Sequence, residues 1–371
     1  MDPKLILDTA QNREEISAIE ALLLLQEGAN VHDDLLGVAD ALTQRFHARN
    51  VTFVRAKQVH YSNICRAECK FCSFARKKGQ KDAFVLKPSE IVRSIREAGA
   101  RQVNLQGGLN ADLTLPYHLD VLRTVKDELP NVHIHGYSPS EIHFIARRSR
   151  TTPLDILKKF RDAGLDSLSG DSADILNDKV RKKICSDKLR TNDWVEIIKS
   201  AHRLGITSTA TMLFGHVEDE IQLSEHLDIV KHIQKETGGI TAFEPIPFVP
   251  AGSALARDKR FKRQVSLDQI LRVFAVSRIF LAKSIRNITI DWTKVGLPQA
   301  LRCVSAGAND VGPVAVDSYE IRSSEANGKL SIPTPVLKSG IQKVGRVPVE
   351  REPYSVKSLP AKIRREELVL V

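Results

Sequence analysis

Aromatic residues, methionine and long apolar runs are all scarce in this chain of 371 residues. Phe, Trp and Tyr together make up 5% of it, and there are 2 Met and 2 Trp. No run approaches the roughly 18 consecutive apolar residues that a membrane span needs, and Met1-Asp-Pro-Lys4 lacks the apolar stretch of a signal peptide. With 42% hydrophobic and 27% charged residues, the composition fits a globular protein with a sizeable core. We therefore expect a cytoplasmic protein without a membrane segment.

Cysteine is also sparse, and its placement argues against a secreted disulfide framework. The 5 Cys are an odd number, whereas a disulfide scaffold pairs an even number across the chain. Cys65, Cys69 and Cys72 fall within eight residues, while Cys185 and Cys303 stand alone. Three crowded thiols in a cytosolic protein indicate metal ligands.

The chain is basic, with 55 Lys+Arg against 45 Asp+Glu and a net charge of +10. A basic balance invites a nucleic-acid interpretation. However, the basic residues are mostly interleaved with acidic ones, the densest run (Arg76 to Lys81) is short, and few aromatic residues are available for stacking. We expect no nucleic-acid partner; attraction to anionic small molecules fits the charge better.

Strand-like and helix-like segments alternate along the chain at intervals of roughly 30 to 40 residues, which is typical of parallel strands joined by helical crossovers. About eight units can be counted. The pattern predicts an α/β fold, a (β/α)8 TIM-type barrel, with an open doubly wound sheet as the alternative. We expect an N-terminal helical extension over residues 1–50, a core over 51–286, a barrel-completing segment over 287–345, and a short C-terminal extension over 346–371 that lies on the surface.

The spacing Cys65-x-x-x-Cys69-x-x-Cys72 follows the first predicted strands. Thiolates are the ligands that iron–sulfur clusters use. Three local ligands on a four-iron cluster leave one iron open, as in catalytic rather than structural metal sites. The alternatives are a zinc loop or three small core residues, and Cys185 or Cys303 could still return through the fold as a fourth ligand.

Polar residues and glycines follow the other predicted strands, where a barrel collects its chemistry. The pair in Gln106-Gly107-Gly108 forms either a turn or a place where a ligand approaches the backbone. Asp171 and Ser172 either bind a ligand or cap the next helix. The candidates for catalytic groups, which follow the third, fifth and seventh strands, are His135, His216 and Asp291.

The third strand carries two histidines. Alternation places His133 and His135 on one face, where each is a general base, a substrate hydrogen-bond donor or simply a satisfied polar core residue. Ser138 with Glu141 three residues later predicts a capping box at the next helix.

The cysteine spacing followed by an α/β barrel resembles the radical S-adenosylmethionine superfamily. The resemblance implies a [4Fe-4S] cluster on Cys65, Cys69 and Cys72, with S-adenosyl-L-methionine on the open iron. One-electron reduction of that complex releases a 5'-deoxyadenosyl radical. It also implies cofactor-binding residues: Gln106, Gly107 and Gly108 at the amino group, and Asp171 with Ser172 near the ribose.

The resemblance narrows to the group that contains the 4-hydroxyphenyl transferase of FO synthase and two futalosine-route menaquinone enzymes. The segments that carry it include Asn63-Ile-Cys65, Cys69-Lys-Phe-Cys72, Thr209-Ala-Thr-Met212 and Gly307-Ala-Asn-Asp310. Gly345 to Arg351 favours the transferase, whereas Leu105 to Asn110 resembles the cyclic dehypoxanthine futalosine synthase. The family usually has proline at Ser169, threonine or glycine at Asp171, and glycine at Pro313.

The transferase resemblance implies L-tyrosine and 5-amino-6-(D-ribitylamino)uracil as substrates in deazaflavin coenzyme biosynthesis. It further implies a reduced electron donor such as ferredoxin or flavodoxin, and a companion FO synthase subunit. The alternatives are a futalosine-pathway enzyme that acts on a nucleoside, and a non-catalytic iron–sulfur or zinc regulatory protein.

Overall fold

The computed structural model describes residues 2–12, 14–257, 264–314 and 332–355. Its strands are β1 Asn50–Ser62, β2 Gln102–Gly107, β3 His133–Gly136, β4 Ser167–Leu168, β5 Thr207–Phe214, β6 Ile240–Pro247, β7 Asp310–Val314 and β8 Val347–Glu350. Its α-helices are α1 Pro3–Gln11, α2 Ala18–Glu27, α3 His32–His47, α4 Pro88–Glu97, α5 Leu115–Glu128, α6 Pro139–Arg148, α7 Pro153–Asp162, α8 Asp178–Ile184, α9 Thr191–Arg203, α10 Glu220–Thr237, α11 Leu267–Leu281, α12 Trp292–Val295, α13 Leu297–Val304 and α14 Thr334–Lys343.

The strands form one curled parallel sheet in the order β6-β5-β4-β3-β2-β1-β7, with β8 paired to β1. Isolated bridges join Ile288 to Phe243 of β6 and Thr289 to Asp310 of β7. The segment that contains Ile288 therefore connects the two outer strands, as closure of a barrel requires. The predicted (β/α)8 class is confirmed. The segment between α11 and α12 forms no longer strand than these bridges.

Local sequence signals position the helices as expected. Proline stands in the first turn of α4, α5, α6 and α7, where its missing N–H has no helical partner to lose. The predicted capping box is confirmed, since Ser138 accepts from the backbone of Glu141 while the Glu141 carboxylate accepts from the N–H of Ser138. These caps fix where each helix leaves its strand, and hence the loops at the barrel mouth.

The N-terminal helices α1 to α3 pack beside α10 and α11. The carbonyl of Gly307 accepts hydrogen bonds from Thr43 of α3 (3.2 Å) and from Arg278 of α11 (2.7 Å). Gly307 has φ +115°, and a Cβ there would lie 2.6 Å from the Cβ of Arg278. Only glycine fits this junction between the helical extension and the barrel.

Part of the expected surface tail belongs to the sheet. Val347–Glu350 forms β8, parallel to Asn50–Phe53. Arg351 follows it with a 13% exposed side chain, donates to the fully buried Asp310 over 2.6 Å, and stacks on Tyr354. The local sequence indicated a surface segment. It could not reveal the buried position of Arg351, because the partner of this residue lies 41 residues earlier in the chain. The remaining tail, residues 356–371, lies outside the described residues.

No helix in the described part of the chain combines the length and the apolar character that crossing a membrane requires.

We expect Arg351→Met to lower the free energy of unfolding by about 3–5 kcal/mol at neutral pH, because it leaves a buried carboxylate unpaired. Burial alone would raise the pKa of Asp310, but the Arg351 guanidinium outweighs it and lowers that pKa. The ion pair therefore contributes its full stabilisation above about pH 4, the ordinary pKa of this carboxyl in the unfolded chain. That stabilisation is lost as the pH falls through the lower pKa of Asp310 in the folded protein.

Denaturant unfolding followed by circular dichroism measures the effect. The difference in the free energy of unfolding between wild type and Arg351→Met should become smaller in acid. The double variant Asp310→Asn/Arg351→Met should be more stable than Arg351→Met at neutral pH. Equal stability of the wild type and the single variant at neutral pH would show that the pair does not hold the segment.

Candidate active site

Two cavities meet at the carboxyl ends of the strands. The cysteine cavity, of about 340 Å³, is lined by Cys65, Cys69 and Cys72. The barrel cavity, of about 330 Å³, occupies the lumen. Both are bordered by the same five residues, which are His60, Phe74, Gln106, Asp171 and Ile246. A group held at this border contacts both spaces.

The cysteines lie on the loop after β1, and all three thiols are partly buried and free. The Cys72 N–H donates to the Cys69 carbonyl over 3.1 Å, which makes a tight turn between these two. The N–H of Leu109 donates to the Cys65 sulfur over 3.3 Å. Burial raises the pKa of the Cys65 and Cys69 thiols. A metal cluster therefore has to displace protons on binding, as metal–thiolate sites do.

Within the described residues, no three His, Cys, Asp or Glu side chains converge as the ligands of a single metal ion would. The corners of an iron–sulfur cubane bind separate thiolates, so its ligands share a cavity rather than a point. Neither Cys185 nor Cys303 lines the cysteine cavity. Both are buried, and the Cys185 thiol points to Asp174 at 3.5 Å behind the cavity wall. The donor set thus fits a cluster held by three thiolates with one corner open.

Gly107 and Gly108 lie where the chain leaves no room for a side chain. A Cβ on Gly107 would be 2.3 Å from the ring of Tyr61, and one on Gly108 would be 2.3 Å from the carbonyl oxygen of Ile64. The N–H of Gly107 donates to Glu141 and that of Gly108 to the Ser62 carbonyl. An ammonium group needs acceptors, which the carbonyl oxygens of this strand end supply. The Gly108 carbonyl accepts from the N–H of Asn110 over 2.7 Å and keeps a second lone pair.

Asp171 and Ser172 line the cysteine cavity, and the next helix does not use them. The N-cap of α8 is Asn177, whose side chain accepts from two backbone N–H groups, so the capping alternative is wrong. The Gln106 amide contacts the Asp171 carboxylate and donates to Ser169 over 2.9 Å. Ser172 has φ +64°, which is unusual for a residue other than glycine and is seen most often near functional sites.

Lys188 is a charged residue of this cavity that the sequence reasoning missed. Its ammonium is 2.7 Å from the carboxylate of Asp174 and 5.4 Å from the centre of the Phe71 ring. Burial alone would lower the pKa of Lys188, but Asp174, Cys69 and Cys185 together outweigh it and raise that pKa. Its charge also acts on Cys69. Nothing in its local sequence pattern marked Lys188 as buried.

The histidines have different surroundings. His133 and His135 both hydrogen-bond to the Ser167 hydroxyl at 2.8 Å, as their shared face predicted, and His135 lines the barrel cavity. Burial lowers the pKa of His135 to about 3 and that of His133 to about 4. Both rings are therefore neutral at physiological pH.

His216 lines neither cavity. Its Nδ1 is 2.8 Å from Glu218, and its Nε2 is 3.1 Å from the Leu213 carbonyl within the same turn. The structure gives it the position of a turn residue after β5 rather than a catalytic one.

Acidic groups lie on the far wall of the barrel cavity. Asp291 caps the short helix α12 by accepting from Thr293 over 2.9 Å, and it is 3.6 Å from the ammonium of Lys294. Glu244 of β6 was missed in the sequence because it stands among apolar strand residues. Burial, together with the charges of Asp291 and Asp171, raises the pKa of the Glu244 carboxyl.

The rest of the barrel cavity is polar. Hydroxyl, amide and imidazole groups project from the strands, namely those of Gln58, His60, Gln102, Asn104, Ser167, Ser169, Thr209 and Thr289. His60, at the border, was not a candidate either; burial and the charge of Lys294 lower its pKa to about 4. Ser169, Asp171 and Pro313, the departures from the family pattern, all line this cavity.

The family models that match are described as Radical SAM superfamily, over residues 59–230, and CofH/MqnC C-terminal region, over residues 237–363. The chain is 35% identical to the 5-amino-6-(D-ribitylamino)uracil--L-tyrosine 4-hydroxyphenyl transferase of Methanococcus maripaludis (strain C7), over 91% of this chain and 95% of that protein. It is 34% identical to the enzyme of the same name from Methanothermobacter thermautotrophicus, over 94% and 96%.

Solved structures share the fold. Methylornithine synthase matches with a TM-score of 0.72 and 17% identity, over 93% of this chain and 97% of that one. The FeFe-hydrogenase maturase HydG from Carboxydothermus hydrogenoformans matches with a TM-score of 0.73 and 19% identity, over 93% and 79%.

We expect Gly108→Ala to reduce the amount of cluster bound per chain, because its Cβ would push apart the end of β2 and the backbone that leads into Cys65. Gly37→Ala is the matched control, since nothing lies within 4 Å of that helical position. Iron and sulfide analysis after anaerobic reconstitution measures the loading. Full loading of Gly108→Ala would mean that the close approach does not position the loop.

We expect Lys188→Met to lower the reduction potential of the cluster, because a buried positive charge favours the added electron. Lys188→Arg keeps the charge and should change the potential less. A redox titration followed by electron paramagnetic resonance measures both. An unchanged potential in Lys188→Met would show that this ammonium does not act on the cluster.

Proposed function

Because the chain belongs to the radical S-adenosylmethionine family of 5-amino-6-(D-ribitylamino)uracil–L-tyrosine 4-hydroxyphenyl transferases, we propose that it makes the deazaflavin precursor in the same way. The Cα–Cβ bond of L-tyrosine breaks, the 4-hydroxybenzyl group joins the aminouracil, and a glycine imine leaves. The observation that carries the proposal is the border between the two cavities, where a radical source and a substrate in the lumen can meet.

Cys65, Cys69 and Cys72 would hold a [4Fe-4S] cluster. Carbonyl oxygens at Gly107 and Gly108 would accept from the amino group of S-adenosyl-L-methionine, and Asp171 would accept from its ribose hydroxyls. When bound and reduced by one electron, this cofactor pair supplies a 5'-deoxyadenosyl radical that abstracts hydrogen from tyrosine.

The polar lumen suits both substrates. A ribityl chain carries several hydroxyls and the uracil ring carries amide donors and acceptors, which the hydroxyl and amide side chains of the barrel cavity can pair. The neutral ring of His135 can donate one hydrogen bond and accept another without adding charge. The carboxylate of Asp291 offers a partner to the tyrosine ammonium.

Two side chains from the segment after β8 lie at the end of the lumen where β7 begins. Arg351 and Tyr354 line the barrel cavity, and the ion pair with Asp310 fixes the guanidinium there. Side chains that fill this end would keep water from a reactive benzyl fragment, which is one way in which a protein directs cofactor chemistry.

One other candidate function has specific support. The model matched at residues 237–363 is described as common to CofH and MqnC, and Leu105 to Asn110 resembles the cyclic dehypoxanthine futalosine synthase. A futalosine-pathway enzyme would use the same cluster with a nucleoside in the lumen. The substrate arms of the experiment below separate the two.

We also propose a reduced ferredoxin or flavodoxin as electron donor and a companion FO synthase subunit that uses the product. A low-potential donor and an oxygen-sensitive cluster favour the cytoplasm as the place of reaction.

The test is an anaerobic assay of the reconstituted enzyme with dithionite and S-adenosyl-L-methionine. With L-tyrosine and 5-amino-6-(D-ribitylamino)uracil, we expect mass spectrometry to detect 5'-deoxyadenosine and the 4-hydroxybenzyl-uracil adduct. With the futalosine-derived substrate we expect neither 5'-deoxyadenosine nor a nucleoside product. Product only with the nucleoside would replace the proposal by the menaquinone alternative. Cofactor cleavage with neither substrate would contradict both.

We expect Cys69→Ala to abolish 5'-deoxyadenosine formation, because it removes one cluster ligand. Cys303→Ala is the matched control: this thiol is also buried but lines neither cavity. It should keep its cluster spectrum and its activity. Activity that survives in Cys69→Ala would end the cluster assignment.

A further inference from the structure

We propose that the surface above the cysteines docks a small acidic one-electron carrier protein of the ferredoxin or flavodoxin kind. This surface, the basic face, consists of the exposed residues of segments 64–83 and 178–190. The inference rests on the proposed function in one respect, namely that a cluster sits on the three cysteines.

The two segments form one surface. The N–H of Lys70 donates to the carbonyl of Ile184 over 2.7 Å, which ties the cysteine loop to the end of α8. From the second segment Lys188 reaches back over the Phe71 ring into the cysteine cavity. The exposed ends of both segments therefore lie next to the candidate cluster.

The basic face carries an excess of positive charge. Exposed acidic residues on it are Glu68, Asp178 and Asp187. Exposed basic residues outnumber them three to one, and they are Arg66, Lys70, Lys77, Lys78, Lys81, Lys179, Lys182, Lys183 and Arg190.

The densest basic run in the sequence is not the source of this excess. Its residues Arg76, Lys77 and Lys78 pair with Asp82, Glu68 and Asp112 respectively.

The free charges lie elsewhere on the face. In the part of the chain that the structure describes, Arg66, Lys70, Lys182 and Lys183 form no ion pair, and their side chains are exposed. These are the charges that remain available to a partner.

An electron carrier is the partner that this position fits. Lys70 is exposed and stands between the candidate ligands Cys69 and Cys72, so a protein seated on it lies beside the loop that would hold the cluster. One electron passes from the reduced carrier to the cluster, which oxidises the carrier and moves no atom. Complementary charge between two proteins raises the rate of encounter by about 10- to 1,000-fold and weakens with salt.

The experiment follows cluster reduction directly, so it does not depend on the transferase reaction. A reduced plant-type ferredoxin is mixed anaerobically with reconstituted enzyme in a stopped-flow instrument, and the loss of cluster absorbance gives the rate. The test variant is Lys182→Glu/Lys183→Glu on α8. Its matched control is Lys158→Glu/Lys159→Glu, an adjacent exposed pair on α7. Arg66→Glu/Lys70→Glu is the second test variant.

We expect both test variants to slow reduction by ferredoxin about tenfold or more at low salt and to flatten its salt dependence, with the control unchanged. Reduction by dithionite, which needs no docking surface, should proceed alike in all of them. Equal ferredoxin rates in every variant, or an equal loss in the control, would overturn the docking surface, as would a chain that binds no cluster. A cluster that ferredoxin reduces normally but that yields no product contradicts the proposed function alone.

Discussion

The candidate site depends on how closely the end of β2 approaches the end of β1. The N–H of Gly108 reaches the Ser62 carbonyl over 2.8 Å, and its missing Cβ leaves room for the backbone of Ile64. Gly107 packs in the same way under the Tyr61 ring, while Glu141 binds its N–H and the Tyr61 hydroxyl. Backbone packing at the strand ends thus positions the first cysteine before any metal is present.

Ionisable side chains in the lumen reduce the stability of the folded protein but provide hydrogen-bonding partners for a polar substrate. Glu244, Asp291 and Asp171 stand in one cavity with Lys294 as a nearby cation. Such groups lose hydration on burial, and hydrogen bonds within the protein, such as that from Thr293 to Asp291, offset part of this cost. The same arrangement would bind an apolar molecule poorly, which agrees with the hydroxyl- and amide-rich substrates of the proposed reaction.

The sequence was sufficient for whatever depends on local pattern. Strand–helix alternation predicted the parallel sheet, proline and capping signals predicted helix starts, and cysteine spacing predicted a shared metal cavity. The misses all depend on distant partners. Lys188 is buried only because Asp174 accompanies it. β8 can form only because β1 begins before Ala56, where its pairing with β2 starts. Glu244 and His60 line the lumen because of how their strands are registered in the sheet. A run of apolar residues in the sequence does not show which side of a strand faces the lumen.

The position of β8 in the chain has a consequence for biosynthesis. Arg351 and Tyr354 line the lumen, but they follow β1, their structural neighbour, by roughly three hundred residues of translation. While the ribosome is still making the chain, the strands through β7 can pair before Arg351 exists to neutralise the carboxylate of Asp310. A nascent chain stalled at that point would also leave the edge of β1 over Asn50–Phe53 unpaired, and unpaired strand edges make a partly folded chain prone to aggregation.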